Sequence, residues 1–100
     1  DLTRDFPDPH FHHFATDTQG KRLVSDAKPF DRGGRVFIAD LGAPGTGPLT
    51  NFTCLLNARS SCTKDTHIHP FLSPDGTMAF YNSDESGILQ AYMIRGLGAV

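Results

Sequence analysis

Residues 69–94, "HPFLSPDGTMAFYNSDESGILQAYMI", decide the fold. Short stretches of alternating apolar and polar residues, rich in Phe, Tyr, Thr and Ile, are punctuated by Ser73-Pro74-Asp75-Gly76 and by Ser83-Asp84-Glu85-Ser86-Gly87. That pattern predicts strands over His69–Leu72, Thr77–Asn82 and Leu89–Ile94, joined by tight turns. Pro74 stands where a turn needs a φ of about −65°, and Gly76 where it needs a left-handed residue. Working outward, the same signals predict strands over Phe11–Thr16, Lys21–Ser25, Arg35–Asp40 and Thr50–Leu56. No window supports an amphipathic helix longer than a turn or two, so the class is all-β. "LGAPGTGP" at 41–48 has too much Gly and Pro for a strand interior and reads as a loop.

The chain repeats itself. "HHFATDTQGKRLVSDAKPFDRGGRVFIADLG" at 12–42 lines up with "HPFLSPDGTMAFYNSDESGILQAYMIRGLG" at 69–98, at an offset of about 56 residues with small gaps. Phe14 aligns with Phe71, Gly20 with Gly76, Ser25-Asp26 with Ser83-Asp84, and Val36-Phe37-Ile38 with Ala91-Tyr92-Met93. Each unit is a strand, an Asp/Gly turn, an apolar strand ending in Ser-Asp, a loop and a strand with an aromatic. A meander of that kind is the content of one β-propeller blade.

On these residues the second unit resembles the TolB-like propeller repeat: a short strand, Ser-Pro-Asp-Gly, an aromatic-rich strand ending in Ser-Asp, a glycine, and a Tyr-containing apolar triplet. The resemblance implies two four-stranded antiparallel blades, over about 10–56 and about 66–96, within one propeller domain spanning 1–100. Ser73–Gly76, Ser83-Asp84 and Tyr92 then read as blade architecture. Two blades leave apolar faces and edge strands uncovered, whereas propellers typically close with four to eight. The remaining blades of a propeller are therefore expected partners, and a seven-bladed ring is the expected whole.

All five histidines fall in two places, His10, His12 and His13 in "HFHHF" and His67 and His69 in "HIH", each at the first strand of a unit. Residues i and i+2 on a strand share a face, so His67 and His69 are placed to converge, and a histidine from the other unit could complete the set. Neutral imidazole is a common ligand of divalent metals, and three leave positions open for water or substrate. The competing reading is a set of polar residues wetting a propeller channel.

"KDTHIHPFLSPDG", with "HFHHFATDTQGKRLVSD" upstream, is also similar to the C-terminal blades of oligogalacturonate lyase, a seven-bladed propeller enzyme with a catalytic manganese ion. The resemblance places two metal ligands on His67 and His69. The third falls on His13, from the spacing to Gly20, or on His12, which the internal repeat pairs with His69. The family's glutamine ligand is replaced here by Lys64, whose ammonium has no lone pair to offer. Propeller lyases acting on ulvan are a close alternative affiliation.

The resemblance implies a polysaccharide lyase that cleaves a uronate polymer by β-elimination, with a divalent ion, manganese or zinc ahead of calcium, facing the substrate carboxylate. It assigns no base to these residues, although His10 or His12 could line a substrate groove. Arg4, Arg32, Arg35 and Arg59 could meet an acidic sugar. Extracellular or periplasmic placement fits polymer degradation. The alternative is a non-catalytic propeller module without metal, or with a structural zinc site that draws on Cys54 and Cys62. Two cysteines are too few for a disulfide framework.

Other classes are disfavoured. The net charge is −2, and the cationic residues are scattered singly, so no basic face is available for nucleic acid. No apolar run approaches the roughly 20 residues that cross a bilayer as a helix. No phosphate-binding glycine loop and no Gly-x-Ser-x-Gly elbow is present.

Overall fold

A computed structural model of the chain describes residues 11–27, 33–42, 49–63 and 66–100. Seven strands follow in order: β1 (Phe11–Thr16), β2 (Arg22–Ala27), β3 (Gly33–Asp40), β4 (Thr50–Ser60), β5 (Phe71–Leu72), β6 (Ala79–Ser83) and β7 (Gln90–Ile94). They form two antiparallel meanders, a four-stranded sheet β1-β2-β3-β4 and a three-stranded sheet β5-β6-β7. Among the described residues no helix is long and apolar enough to cross a membrane.

The turns form for the reasons read from the sequence. Gly20 N–H donates to Asp17 O at 3.1 Å and Gly76 N–H to Ser73 O at 2.9 Å. Both glycines have positive φ, 66° and 74°. The buried Asp17 carboxylate accepts the backbone N–H groups of Gln19, Lys21 and Arg22 at 3.1, 2.8 and 2.7 Å, which fixes the β1–β2 hairpin.

Two expectations are corrected. The second unit has three strands, because the chain after Ile94 takes positive φ at Gly96 and Gly98 and pairs with no strand. β4 runs on to Ser60, four residues beyond the expected end at Leu56. The loop expected at 41–48 lies outside the described residues, apart from Leu41 and Gly42.

The two sheets pack through Val24, Val36 and Ala58 of the first and Leu72, Ala79 and Tyr81 of the second, with Ile68 from the connecting segment. Polar ties hold the seam. Ser83 Oγ donates to Ala58 O, and the Asp84 carboxylate accepts from Ser61 N and Ser61 Oγ. These hydrogen bonds, led by the Ser61 hydroxyl, hold the Asp84 carboxyl below its ordinary pKa.

Corresponding residues of the two sheets point the same way. Val24 precedes the Ser25-Asp26 pair and faces the seam, so its neighbour Leu23 faces away from it. Tyr81, which stands where Leu23 stands relative to Ser83-Asp84, lies in the seam, so Asn82 faces away. The seam is therefore lined by opposite faces of the two repeated meanders. A sandwich of two mirrored sheets would have reversed one of them.

Candidate metal centre

The imidazoles meet at the seam, but not for the reason that strand alternation supplies. In β1 the pairing with β2 shifts register between Phe11 and Phe14, which makes a bulge at His12-His13. Beyond it the register, Phe14 to Ser25, places His13 next to Asp26 on the face turned to the second sheet. The bulge also breaks the alternation, so that His12 lines the same small hollow as Asp26, Cys62, His67 and Ile68.

Residues 67–70 form no strand. Ile68, 2% exposed, is sunk in the core, and its carbonyl accepts the Asn82 N–H at 2.8 Å. His69 has a φ of 43°, in the left-handed region that a β-substituted residue rarely enters. The buried isoleucine and this backbone twist throw His67 and His69 out of the core on the same side.

One ligand nitrogen from each of His13, His67 and His69 lies within 4.8 Å of the other two. Ring centroids stand 3.9 Å apart for His13–His69, 5.7 Å for His67–His69 and 6.1 Å for His13–His67. Two nitrogens sharing a tetrahedral zinc ion would be roughly 3.4 Å apart. Small side-chain rotations close that difference, so the donor set suits a divalent transition ion.

Asp26 completes the arrangement. Its buried carboxylate lies 2.9 and 3.1 Å from His13 Nδ1 and accepts the His13 backbone N–H at 2.7 Å. A carboxylate on Nδ1 holds the proton there and leaves the Nε2 lone pair for an ion, as metal-binding histidines generally require. Asp26→Asn is expected to weaken manganese or zinc binding by about 10- to 100-fold, as loss of such a partner typically does, measured by isothermal titration calorimetry.

Partial loss of solvent, then the neighbouring His13 and His67 rings, push the His69 pKa below its ordinary 6.5. The neutral, metal-ready form is thereby favoured at neutral pH. The unfolded chain then takes up a proton at a higher pH than the folded one, so the stability this group contributes is present above pH 6.5 and lost as pH falls through the lowered value. Thermal unfolding of the metal-free protein should show a midpoint that declines below about pH 6.5, with a shallower decline in His69→Ala.

The remaining candidates are placed as follows. Cys54 is exposed in β4, and Cys62 is half-buried in the hollow with a φ of 57°; they form no disulfide. Neither cysteine nor His12 joins the imidazole triad, which is the one group of three or more such donors among the described residues. Arg35 and Arg59 are exposed. His10, Lys64, Arg4 and Arg32 lie outside the described residues.

Asp26 is the site residue the sequence reading missed, since the repeat aligned its Ser-Asp pair with Ser83-Asp84, a pair read as architecture. The hairpin register carried the signal: a turn at residues 17–20 sets position 26 opposite position 13. Compared with protein-family models, curated proteins and solved structures, the chain matches none.

Proposed function

We propose that this chain is part of a β-propeller polysaccharide lyase that acts on a uronate-containing polymer, oligogalacturonate or ulvan, with a divalent metal held by His13, His67 and His69. The observation that carries this reading is the convergence of three imidazoles, one from β1 and two from the segment before β5, with a carboxylate on one of them. In β-elimination a proton leaves C5 of the uronate while negative charge develops on the C6 carboxylate, and the O4 glycosidic bond then breaks. A bound divalent ion supplies the electrophile that neutralises that carboxylate. The chain's own residues do the rest of what is assigned here. Asp26 keeps the His13 proton on Nδ1, Ile68 anchors His67 and His69, and the exposed edge of the triad leaves room for an acidic sugar.

The same-way repetition of the two sheets supports propeller blades over a sandwich. So do the outer faces. Phe71 and Phe80 stack at 4.9 Å beside Met93 on one side of the stack, and Phe71 and Met93 are about half exposed. Phe14 is exposed on the other side. Apolar sheet faces of that kind fit further blades.

The test is metal-dependent retention of the acidic sugar. With manganese or zinc present the chain should retain oligogalacturonate or an ulvan oligosaccharide and release it on chelation. In a chain that carries further blades, the ultraviolet absorbance of the unsaturated uronate product should appear. A chain that takes up no ion would instead be a non-catalytic binding module.

A further inference from the structure

Arg22 opens β2 at the end of the sheets opposite the imidazoles. It stands four residues before Asp26, about 13 Å along the strand. Its side chain crosses the seam: Nη1 donates to Gly76 O at 2.6 Å, in the Ser-Pro-Asp-Gly turn, and to Gly98 O at 2.9 Å. Both Nη1 hydrogens are thereby used. Nε is buried with no partner, and Nη2 makes no hydrogen bond among the described residues.

The residue is 7% exposed, and the one ion pair among the described residues is His13–Asp26. A guanidinium is therefore buried without a counter-ion, which is costly unless something supplies one. Two neighbouring acids, Asp17, which accepts the Arg22 backbone N–H, and Asp40, which lines the adjoining cleft, form no ion pair with it. Asp17 accepts three backbone N–H groups, and the Asp40 carboxylate accepts Asn51 Nδ2 at 2.6 Å.

A cleft of about 500 Å³ adjoins this side chain, bounded by Gly20, Lys21, Leu41 and Val100 as well as by Asp40. That is ample for a small organic anion. Lys21 is exposed at its rim and adds a second cation. The unused Nε–Nη2 edge is the edge of arginine that forms a two-point fork with a carboxylate or phosphate.

We propose that this cleft binds a small oxyanion, a carboxylate or a phosphate group, on the Nε–Nη2 edge of Arg22. The Nη1 group of the same guanidinium already spans both sheets, so the ligand fastens the seam at the end away from the metal centre. The site is independent of the imidazole triad and stands or falls separately from it.

The experiment is a ¹⁵N-edited NMR titration of the chain with galacturonate and, separately, inorganic phosphate, at constant ionic strength in chloride with a chelator present. Saturable shifts are expected at the amides of Gly20, Lys21, Arg22, Leu41 and Gly42 and at the Arg22 Nε–H. Affinity should fall about tenfold in Arg22→Lys, which keeps the charge but loses the fork. Response to galacturonate alone identifies a carboxylate site, response to phosphate alone a phosphate site, and response to both a general oxyanion site. No saturable shift with either anion, equal affinity in Arg22→Lys, or shifts confined to the histidines would overturn the proposal. Should Arg22→Lys fail to fold, the Arg22 Nε–H resonance of the unaltered chain decides: an unmoved signal rejects the site.

Discussion

His67→Ala and His69→Ala are each expected to lower manganese or zinc affinity by more than about a hundredfold, beyond the loss from removing a supporting carboxylate. Equilibrium dialysis followed by elemental analysis reads this directly. With only three imidazoles in the set, loss of one leaves two neutral donors and no anionic ligand to compensate. The far-ultraviolet circular dichroism should stay that of a β protein, since neither ring belongs to the buried core. Metal retention equal to that of the unaltered chain in both variants would remove the centre.

His69 permits a sharper version of the same experiment. At a φ of 43° its backbone sits where glycine rests without strain. His69→Gly should therefore lose the metal as His69→Ala does, yet unfold at a midpoint no lower than that of His69→Ala. Glycine unfolding at the lower midpoint of the two would show that the left-handed backbone at this position carries no strain. Backbone strain retained at a residue that converges on two other imidazoles is the pattern of a position kept for its side chain.

Much of the fold was legible because its signals are local. β1 spans the residues expected of it, and the other strands shift by a few residues at their ends, where edge and turn geometry decide. Turn glycines at 20 and 76 take the φ their sequence context requires. The convergence of the imidazoles was legible only in outcome. The sequence placed His67 and His69 on a strand, whereas they reach one another through a left-handed residue in a loop, and nothing in "THIHP" marks a histidine for that conformation. The bulge at His12-His13 is hidden in the same way, since it follows from pairing with β2 and not from composition. Asp26 was masked by the repeat itself. Its counterpart Asp84 binds Ser61 backbone and hydroxyl, whereas Asp26 binds His13.

Ile68→Ala should have the largest effect on stability, a loss of about 2–5 kcal/mol measured by urea unfolding. That is a large share of the roughly 5–15 kcal/mol that holds a typical domain together. The side chain is among the largest that are fully buried, and the backbone closes over it. A Cβ at Gly34 would come within 2.8 Å of Ile68 Cγ1, and Gly34 has a φ of 72°, so the chain passes too close to admit any side chain there. Ile68 also stands between His67 and His69, the two proposed ligands, which gives the substitution a second readout. If Ile68 is what aims His67 and His69, metal affinity should fall in Ile68→Ala although no donor atom has been touched. Ile68→Val, costing about 0.5–1.5 kcal/mol, should keep most of the affinity. Full metal affinity in folded Ile68→Ala would show that the histidines are aimed by the twist at His69 without help from the core, and that site and core are separable.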